Sequence, residues 1–324
     1  MAGQIFAYIT HKTGKADDSA LELATAAGKI APDASTTAIV TGSGTDLDAV
    51  CGEVAQAYRE VWKFEHEALA YPNAEAIRKL LVDVLPRDAI LLAPHDTFGM
   101  DLCPGLSIKL NSVFAADIVD FEGLEGNTLN VIRQEFSGQV STHVTCDIAN
   151  GAVLSVRPGV FQPDESGSAG GQVIDKSSEV ADLTTGRRFI DVVAAEVGDV
   201  DITKEDVLVS VGRGIEDEDN IEVAQELAEA MGAVVSCSRP IVDAKWLEKS
   251  RQVGTSGQTV KPKVYLALGI SGSFQHLGGL KGNPYIVAVN KNSKAPIFQV
   301  ADVGIVGDLL DFVPVLTEKI QESK

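Results

Sequence analysis

The sequence predicts an α/β protein built from two domains. Short apolar runs alternate with segments of helical periodicity from residue 4 onward, which is the rhythm of βαβ units and a parallel sheet. A polar stretch rich in Gly, Ser and Asp interrupts this rhythm at 162–178, and the rhythm resumes after residue 200. The chain has 324 residues, more than one compact core usually covers. We therefore expect domains at 1–200 and 201–324.

Composition and charge argue against several classes of protein. The formal net charge is -19, whereas binding to nucleic acid or to an anionic membrane surface needs clustered Lys and Arg. No apolar run approaches the ~18 residues of a membrane span. Nothing Arg-rich or basic precedes the first apolar run, so we expect a cytoplasmic, prokaryotic protein or a mature form whose targeting segment has been removed.

The cysteines and histidines show no spacing typical of a metal site. The four cysteines lack CxxC spacing, and the five histidines lack HExxH or paired spacing. These patterns predict free thiols, mostly buried, and no metal site. The cysteines are Cys51, Cys103, Cys146 and Cys237.

The first half predicts a parallel sheet with an antiparallel extension. Its predicted strands and helices alternate: strands at 4–9, 36–40, 60–66 and 89–93, and helices from about Asp17, over 47–58 and over 73–84. After residue 114 the strands instead follow one another at 114–120, 128–134, 139–146 and 152–157, separated by the turn signals Gly126-Asn127, Ser137-Gly138 and Asn150-Gly151. Strands joined by such turns are typical of hairpins. We expect 162–178 to be a flexible loop and 180–200 to contain a strand that links the domains.

The pair His95-Asp96 admits two interpretations. It follows a predicted strand, as catalytic pairs often do, but no nucleophile can be assigned beside it. We therefore expect a loop that caps a helix.

In the second half, polar clusters follow one apolar run after another. Strands are predicted at 207–211, 233–236, 264–268 and 285–289, and the last helix at about 307–321. The clusters are Gly212-Arg213-Gly214-Ile215, Ser238-Arg239-Pro240, Gly269-Ile270-Ser271-Gly272-Ser273, Asn290-Lys291 and, after the run 297–300, Ala301-Asp302. Parallel strands bind ligands at their carboxyl ends. The Gly and Ser residues let backbone N–H groups and hydroxyls approach an anion, and Arg213 can grip a pyrophosphate. This half therefore predicts the site of a large phosphate-bearing cofactor.

The order of these clusters resembles the flavin-binding domain of the α subunit of electron transfer flavoproteins. The matching runs are Ser-Arg-Pro-Ile-Val-Asp-Ala from Ser238, Gln-Val-Gly-Thr-Ser-Gly from Gln252, Leu-Gly-Ile-Ser-Gly-Ser-Phe-Gln-His-Leu-Gly-Gly-Leu-Lys from Leu268, Ile-Val-Ala-Val-Asn-Lys from Ile286, Ala-Pro-Ile-Phe-Gln-Val-Ala-Asp from Ala295 and Ile-Val-Gly-Asp-Leu from Ile305. They span about a third of the chain. The first half resembles the family in architecture and in the run Ser-Val-Arg-Pro-Gly-Val-Phe from Ser155.

The resemblance implies a Rossmann-like domain that binds one FAD in an extended pose. By this resemblance Arg213 and Ser238 contact the dinucleotide part, Arg239 lies near the isoalloxazine ring, and Ser256 places its hydroxyl near flavin N5. His276 lies near the flavin O2 edge. The full set of implied FAD contacts is Arg213, Ser238, Arg239, Val253, Gly254, Thr255, Ser256, Ser271, Gly272, Ser273, Phe274, Gln275, His276, Asn290, Asp308 and Leu309.

Two positions depart from the family pattern. Thr255-Ser256 stands where the family often has Gln-Thr, so a hydroxyl is kept and an amide is lost. Phe274 replaces a smaller aliphatic residue and is expected to reshape the edge of the ring site. Reduced flavin is anionic around N1 and C2=O, so a cation or donor such as Arg239 or His276 at that edge raises the potential.

The resemblance also implies a function. It predicts the FAD-binding α subunit of a heterodimer with a β subunit, which accepts electrons from an acyl-CoA dehydrogenase or similar flavoenzyme of fatty acid β-oxidation. The alternative is the α subunit of an electron-bifurcating complex that oxidises NADH and carries a second FAD in β. A self-contained dinucleotide-dependent enzyme is a further alternative, disfavoured because no nucleophile or acid–base pair accompanies the clusters. A purely structural scaffold function would not explain the polar clusters that follow the predicted strands of the second half.

Overall fold

The computed structural model describes residues 4–32, 34–136, 140–163, 170–191 and 200–323. The chain separates into two compact units, Met1–Asp191 and Val192–Lys324. Both are α/β units built on largely or wholly parallel sheets, which confirms the predicted fold class. The turn signal Ser137-Gly138 and most of the span 192–200 lie outside the described residues.

The described part of the first unit forms a nine-stranded sheet of order β11-β5-β4-β1-β6-β10-β7-β8-β9 and a small β2-β3 hairpin. Neighbours from β11 to β7 pair in parallel, and β7, β8 and β9 pair antiparallel. The elements are β1 (Ile5–Ile9), β2 (His11–Lys12), β3 (Lys15–Ala16), α1 (Ser19–Ile30), β4 (Thr36–Gly42), α2 (Asp46–Val54), β5 (Glu60–Glu65), α3 (Ala74–Val84), β6 (Ile90–Pro94), α4 (Thr97–Leu110), β7 (Val113–Glu125), β8 (Thr128–Glu135), β9 (Val140–Asp147), β10 (Ala152–Val156) and β11 (Gln172–Asp175).

The sheet of the first unit is covered on both faces by helices. Strand β1 is buried along its whole length. Alternate residues of it join the core under α1 and α2 or the core under α3 and α4. This burial of both faces explains why the central strands read as continuous apolar runs rather than alternating ones.

Strand β10 corrects the predicted antiparallel extension. It lies between β6 and β7 and pairs in parallel with both. All five of its residues are buried, so it is a central strand of the parallel sheet. The extension consists of β7, β8 and β9 alone.

The extent of helix α4 was not predicted from the sequence, because Gly99, Pro104 and Gly105 interrupt its pattern. The predicted capping loop before it is confirmed. Asp96 is the N-cap, and its Oδ1 accepts a hydrogen bond from the Gly99 N–H at 2.7 Å.

Two predictions for the segment after β10 are wrong in the described residues. The expected flexible loop contains β11, which pairs with β5 over four residues. The expected linking strand is absent from 180–191, where the described chain forms no strand. Composition was a poor guide to β11, because the backbone pairing of this edge strand depends on β5, which is far away in the sequence.

The second unit is a five-stranded parallel sheet of order β13-β12-β14-β15-β16 over its described residues. Its elements are β12 (Val207–Val211), α5 (Ile221–Met231), β13 (Val234–Cys237), α6 (Arg239–Asp243), β14 (Val264–Leu268), α7 (Phe274–Leu277), β15 (Tyr285–Asn290), β16 (Val303–Val306) and α8 (Leu309–Glu322). Helices α5 and α8 cover one face. The other face packs against the segment around Val253 and Val260 and against Ile297.

All five strands run in the same direction, so their carboxyl ends share one edge, as predicted. One cluster was assigned to the wrong end. Ala301-Asp302 precedes β16, and Asp302 Oδ2 accepts a hydrogen bond from the Ile286 N–H at 2.7 Å, near the start of β15. The fifth strand end is instead Gly307-Asp308 after β16.

The structure also bears on membrane spans, cysteines and metal ligands. None of the helices in the described ranges is long and apolar enough to cross a membrane. The four cysteines are buried free thiols, as predicted. Across the same ranges no group of His, Cys, Asp and Glu is arranged to hold a metal ion.

Candidate functional site

At the carboxyl edge of the second sheet, the loops after β12 and β14 pack backbone against backbone. The Gly214 N–H donates to the Gly269 carbonyl at 3.1 Å, and the Gly212 N–H donates to Leu268 at 2.8 Å. A Cβ at Gly212 would lie 2.5 Å from the Gly269 oxygen. Glycine is therefore required for this close approach, which brings the Arg213 loop beside the Ser271 loop.

The loop after β14 exposes two hydroxyls, those of Ser271 and Ser273. Gly272 has a φ of +80°, and the Ser271 carbonyl accepts from the Ile297 N–H at 3.0 Å. Helix α7, which the loop enters, is only four residues long. Its dipole is correspondingly small, so the hydroxyls and loop backbone are the main polar groups of this part. Phe274 is 59% exposed at the start of the helix.

Residues 253–256 are tied to both the sheet and α7. The Val253 N–H donates to the Cys237 carbonyl at the end of β13, and the Thr255 N–H donates to Gln275, each at 2.8 Å. Gly254 has a φ of +141°, which favours glycine. Ser256 Oγ accepts from Gln252 Nε2 at 2.9 Å. Because that contact uses only an acceptor lone pair, the Ser256 O–H remains able to donate.

Asn290, Asp308 and Leu309 lie at the ends of β15 and β16. Asn290 Nδ2 donates to the Ile270 carbonyl at 2.9 Å, which fixes the β14 loop. Asp308 Oδ1 caps α8 by accepting from Leu310 N at 3.0 Å, and Leu309 is buried.

An ion pair that the sequence patterns did not predict spans this edge. Lys291 Nζ lies 2.6 Å from Glu216 Oε1 and 2.9 Å from Asp308 Oδ2. Hydrogen bonding to Glu216 first, and then to Asp308, raises the pKa of Lys291. The hydrogen bond from Lys291 lowers the pKa of Asp308. Lys291 stands in the quoted Asn-Lys motif, but nothing local in sequence connects it to Glu216, 75 residues earlier.

The two arginines lie at the exposed rim of the edge. Arg213 follows β12 and is exposed. Arg239 is 69% exposed and lies 3.4 Å from Asp243 across one helical turn of α6. Such an exposed pair is weak, so the guanidinium is available to a ligand. Ser238 beside it is buried, and its N–H donates to the Val211 carbonyl at 3.0 Å.

His276, which is predicted to lie near the flavin O2 edge, lies in α7. It is buried, and its Nε2 lies 2.8 Å from the Tyr265 hydroxyl. Burial lowers the pKa of His276 to about 4, against a smaller opposing effect of the Val253 backbone. The imidazole is therefore neutral near pH 7. In this arrangement the ring is not a cation, and its Nδ1 is buried without a hydrogen-bond partner among the described residues.

Comparison with known protein families identifies the family of this chain. A family model described as the electron transfer flavoprotein domain matches residues 5–181, and one described as the electron transfer flavoprotein FAD-binding domain matches residues 201–281. The chain belongs to the electron transfer flavoprotein family. Within it, the chain is an α subunit, and its C-terminal unit binds FAD.

Individual relatives agree with this membership of the electron transfer flavoprotein family. An electron transfer flavoprotein subunit alpha from Thermoanaerobacterium thermosaccharolyticum is 36% identical over 252 residues, 78% of this chain and 76% of the relative. An acryloyl-CoA reductase electron transfer subunit beta from Anaerotignum propionicum is 30% identical and covers 99% and 96% of the two chains. A lactate dehydrogenase (NAD(+),ferredoxin) subunit LctC from Acetobacterium woodii is 33% identical over 77% of this chain and 59% of its own length.

The carboxyl edge brings together tight backbone turns and hydrogen-bond donors. Two backbone segments turn at three left-handed glycines, Gly254 in one and Gly269 and Gly272 in the other, where any side chain would meet backbone or Leu309 atoms within 3 Å. The Ser271, Ser273 and Ser256 hydroxyls and the rim arginines offer donors to phosphates and to a flavin ring. Hydrogen bonds join the segment 253–256 to Cys237 and Gln275, and join Asn290 to the β14 loop. The edge thus holds the sequence-predicted residues in connected loops, with Arg213 and Arg239 at its rim.

Proposed function

We propose that the chain is the FAD-carrying α subunit of a heterodimeric electron transfer flavoprotein. It accepts electrons from acyl-CoA dehydrogenase-type flavoenzymes and passes them to a downstream acceptor. The observation that supports this most is the chemistry of the carboxyl edge. Its described polar side chains are arginines, hydroxyls, amides, the ion pair of Lys291 with Glu216 and Asp308, and a neutral His276, and none of them forms a nucleophile–base pair. Such an edge binds and tunes a redox group without acting on a substrate of its own.

The proposal assigns the FAD contacts to the residues at this edge. Arg213 and Ser238 bind the dinucleotide part, and the segment 271–276 with Asn290, Asp308 and Leu309 supports its length. Arg239 is the cation beside the ring. Ser256 donates its free O–H toward flavin N5, which is consistent with its acceptor contact from Gln252. Thr255 and Phe274 are both exposed, so in this proposal these two departures from the family pattern change the groups that surround the flavin.

A β subunit completes the site in this proposal. The rim residues Arg213, Arg239, Thr255, Ser271 and Phe274 are all exposed. A flavin lying along them would have one side open to water, and a partner surface is what excludes water from such a site. The family's naming of separate α chains agrees with a heterodimer.

The first test concerns flavin content and electron transfer. We expect the co-purified heterodimer to carry FAD, seen by its visible absorbance, and to be reduced by substrate in the presence of an acyl-CoA dehydrogenase. A purified complex without flavin absorbance would contradict the proposal.

Arg239→Ala tests the role of the cation. Removing a positive charge beside the ring makes formation of the anionic reduced flavin less favourable. We therefore expect the midpoint potential of the bound FAD to fall. Lys249→Ala removes an exposed cation of the same unit outside the predicted contacts, and it should leave the potential unchanged. An unchanged potential in Arg239→Ala would remove its assigned role.

An electron-bifurcating function is the second candidate. The relative named lactate dehydrogenase (NAD(+),ferredoxin) subunit favours it, since that name joins NAD(+) and ferredoxin in one reaction. This candidate needs a second FAD in the β subunit and reaction with NADH. Counting flavins per heterodimer separates the two: one FAD and no reduction by NADH supports the first candidate, and two with NADH oxidation supports the second.

A further inference from the structure

Arg213 lies in a loop whose backbone is fixed from two sides. On one side, the Gly214 N–H donates to the Gly269 carbonyl at 3.1 Å. On the other side, the Arg213 carbonyl accepts from the Glu216 N–H at 3.2 Å, and the Glu216 carboxylate lies 2.6 Å from Lys291 Nζ. The Arg213 side chain is exposed and forms no hydrogen bond or ion pair within the described ranges. The backbone of this loop therefore sets where the guanidinium can reach.

Glu216 has a backbone conformation that residues other than glycine rarely adopt. Its φ is +72° and its ψ is -44°. Such a conformation costs free energy and persists only where neighbouring contacts hold it. The adjacent Ile215 is 0% exposed and packs in the same core as Leu309, and its carbonyl accepts from Asn220 Nδ2 at 2.9 Å. The turn is thus held by packing at Ile215 and by the ion pair at the Glu216 carboxylate.

Lys291 connects the carboxyl ends of three strands. It directly follows β15, and its Nζ lies 2.6 Å from Glu216 Oε1 in the loop after β12 and 2.9 Å from Asp308 Oδ2 after β16. Asp308 is also the N-cap of α8. One ammonium between two carboxylates forms a small network, which holds its members better than an isolated exposed pair does. This network ties the loop that carries Arg213 to the first turn of α8.

We propose that Lys291 is a positioning residue for the flavin site, which pairs with Glu216 and Asp308 and thereby places the Arg213 guanidinium for the FAD pyrophosphate. The proposal rests on the proposed function, which assigns Arg213 to the dinucleotide part of FAD. A guanidinium binds phosphate oxygens through a planar fork of N–H groups, so its hold on a phosphate depends on correct placement. Lys291 acts through Arg213, and its own ammonium is engaged by the two carboxylates.

Glu216→Gln separates this positioning role from a simple effect of charge. The change removes a negative charge near the FAD phosphates, so electrostatics alone predicts tighter binding. The positioning role predicts the opposite, because the loop that carries Arg213 loses its ion pair. In the full-length chain co-purified with its β subunit and freed of flavin, we expect FAD to bind about two- to five-fold more weakly, the range that one partly exposed ion pair provides. Tighter or unchanged binding in an FAD titration overturns the proposal.

The same substitution in an Arg213→Ala background shows whether Lys291 acts through Arg213. Once the guanidinium is gone, misplacing its loop has no further consequence for the phosphates. We therefore expect Glu216→Gln no longer to weaken FAD binding in that background. An equal loss in both backgrounds contradicts action through Arg213.

Lys291→Met removes both ion pairs at once, and Lys319→Met is its matched control. Lys319 Nζ also lies 2.6 Å from a carboxylate, that of Glu322, but this pair joins neighbours within α8. We expect Lys291→Met to weaken FAD binding about five-fold or more, and the control to bind FAD as the wild type does. Equal losses in the two variants overturn the proposal.

Hydrogen exchange tests the ion-pair network in the full-length protein without FAD. We expect the amides of Gly214 and Ile215 to exchange faster in Lys291→Met than in the wild type, and at the wild-type rate in Lys319→Met. Unchanged exchange in Lys291→Met would show that the network does not hold the loop. A wild-type heterodimer that binds no FAD would contradict the proposed function, whereas the hold of Lys291 on the loop is judged by exchange alone.

Discussion

Gly272 shows how a single residue shapes the FAD edge. Its φ is +80°, and a Cβ there would lie 2.4 Å from the backbone nitrogen of Ile297. Gly272→Ala therefore combines a disfavoured backbone conformation with a clash that no side chain can relieve. We expect a loss of about 2–4 kcal/mol in the free energy of unfolding and weaker FAD retention. Denaturant unfolding and the flavin-to-protein ratio measure the two effects.

Gly307→Ala is the control for this prediction. It lies in the same unit, and a Cβ there meets nothing within 4 Å. Its unfolding free energy should stay within about 0.5 kcal/mol of the wild-type value. Equal losses in both variants would show that the crowding at Gly272 does not matter.

For single residues, the motifs predicted which ones lie at the carboxyl edge of the second sheet, but not how deeply each side chain is buried or what it contacts. The burial of His276 was not predicted: it is 5% exposed, and its Nε2 lies 2.8 Å from the Tyr265 hydroxyl. Sequence spacing places a residue on an element, whereas burial depends on how deeply that element packs. For the same reason the Glu216–Lys291 pair was missed, since its partners come from different strand ends and no periodicity connects them.

Among the elements, β11 depends most on a few backbone contacts. It is an edge strand, held by its pairing with β5 and by the Gly171 N–H, which donates to Ala55 at 2.8 Å. A Cβ at Gly171 would lie 1.8 Å from the Tyr58 carbonyl oxygen. Gly171→Ala should therefore release β11 while the rest of the sheet stays folded, because edge elements open locally. Hydrogen exchange should accelerate at the amides of β11 and not at those of β1.

Gly186→Ala is the matched control for the release of β11. A Cβ at Gly186 meets only Glu75 Oε2, at 3.9 Å, so exchange in β11 should not change. Faster exchange throughout the sheet of the Gly171 variant would mean that β11 is part of the global unfolding unit, against this prediction.

The elements that the sequence predicted well share a strong local signal. β1 is an unbroken apolar run, and β4 and β12 are short runs made mostly of apolar or β-branched residues. α3 has both helical periodicity and the Asn73 cap, whose Oδ1 accepts from Glu75 N at 3.0 Å. Strand β10 was found, but its place in the sheet was not. Its neighbours β6 and β7 are chosen by tertiary packing, and the short turn before it resembles a hairpin turn.

At the scale of the whole molecule, each unit has its own core and its own tryptophan. Trp62 packs beside Phe6 in the first unit, with ring centroids 5.0 Å apart, and Trp246 packs at the core under α5 and α8 in the second. Trp62→Phe therefore leaves Trp246 as the only tryptophan in the chain. Its fluorescence then reports unfolding of the FAD-binding unit within the full chain.

That reporter makes the pH dependence of the second unit measurable. The pKa of His276 falls from 6.5 to about 4 because of its burial. Between these values the unfolded chain binds a proton that the folded unit does not, so stability rises with pH across this window and is lost as the pH falls. The loss should be on the order of 3 kcal/mol between pH 6.5 and 4, from about 1.4 kcal/mol per unit of pKa. Denaturant unfolding of FAD-free Trp62→Phe, followed at Trp246, measures it.

Two further histidine variants in this background decide whether His276 is the cause. His276→Gln removes the buried imidazole and should flatten the pH dependence between 6.5 and 4, whatever its own effect on stability. His143→Gln removes a side chain that is 61% exposed in the first unit. It should not change the pH dependence of the unfolding free energy that is followed at Trp246. His95 also has a pKa lowered by burial, but it lies in the first unit, where Trp246 does not report. If His276→Gln kept the full slope, burial of His276 would not be the source of the acid sensitivity, and the neutral state assigned to its imidazole would have to be abandoned.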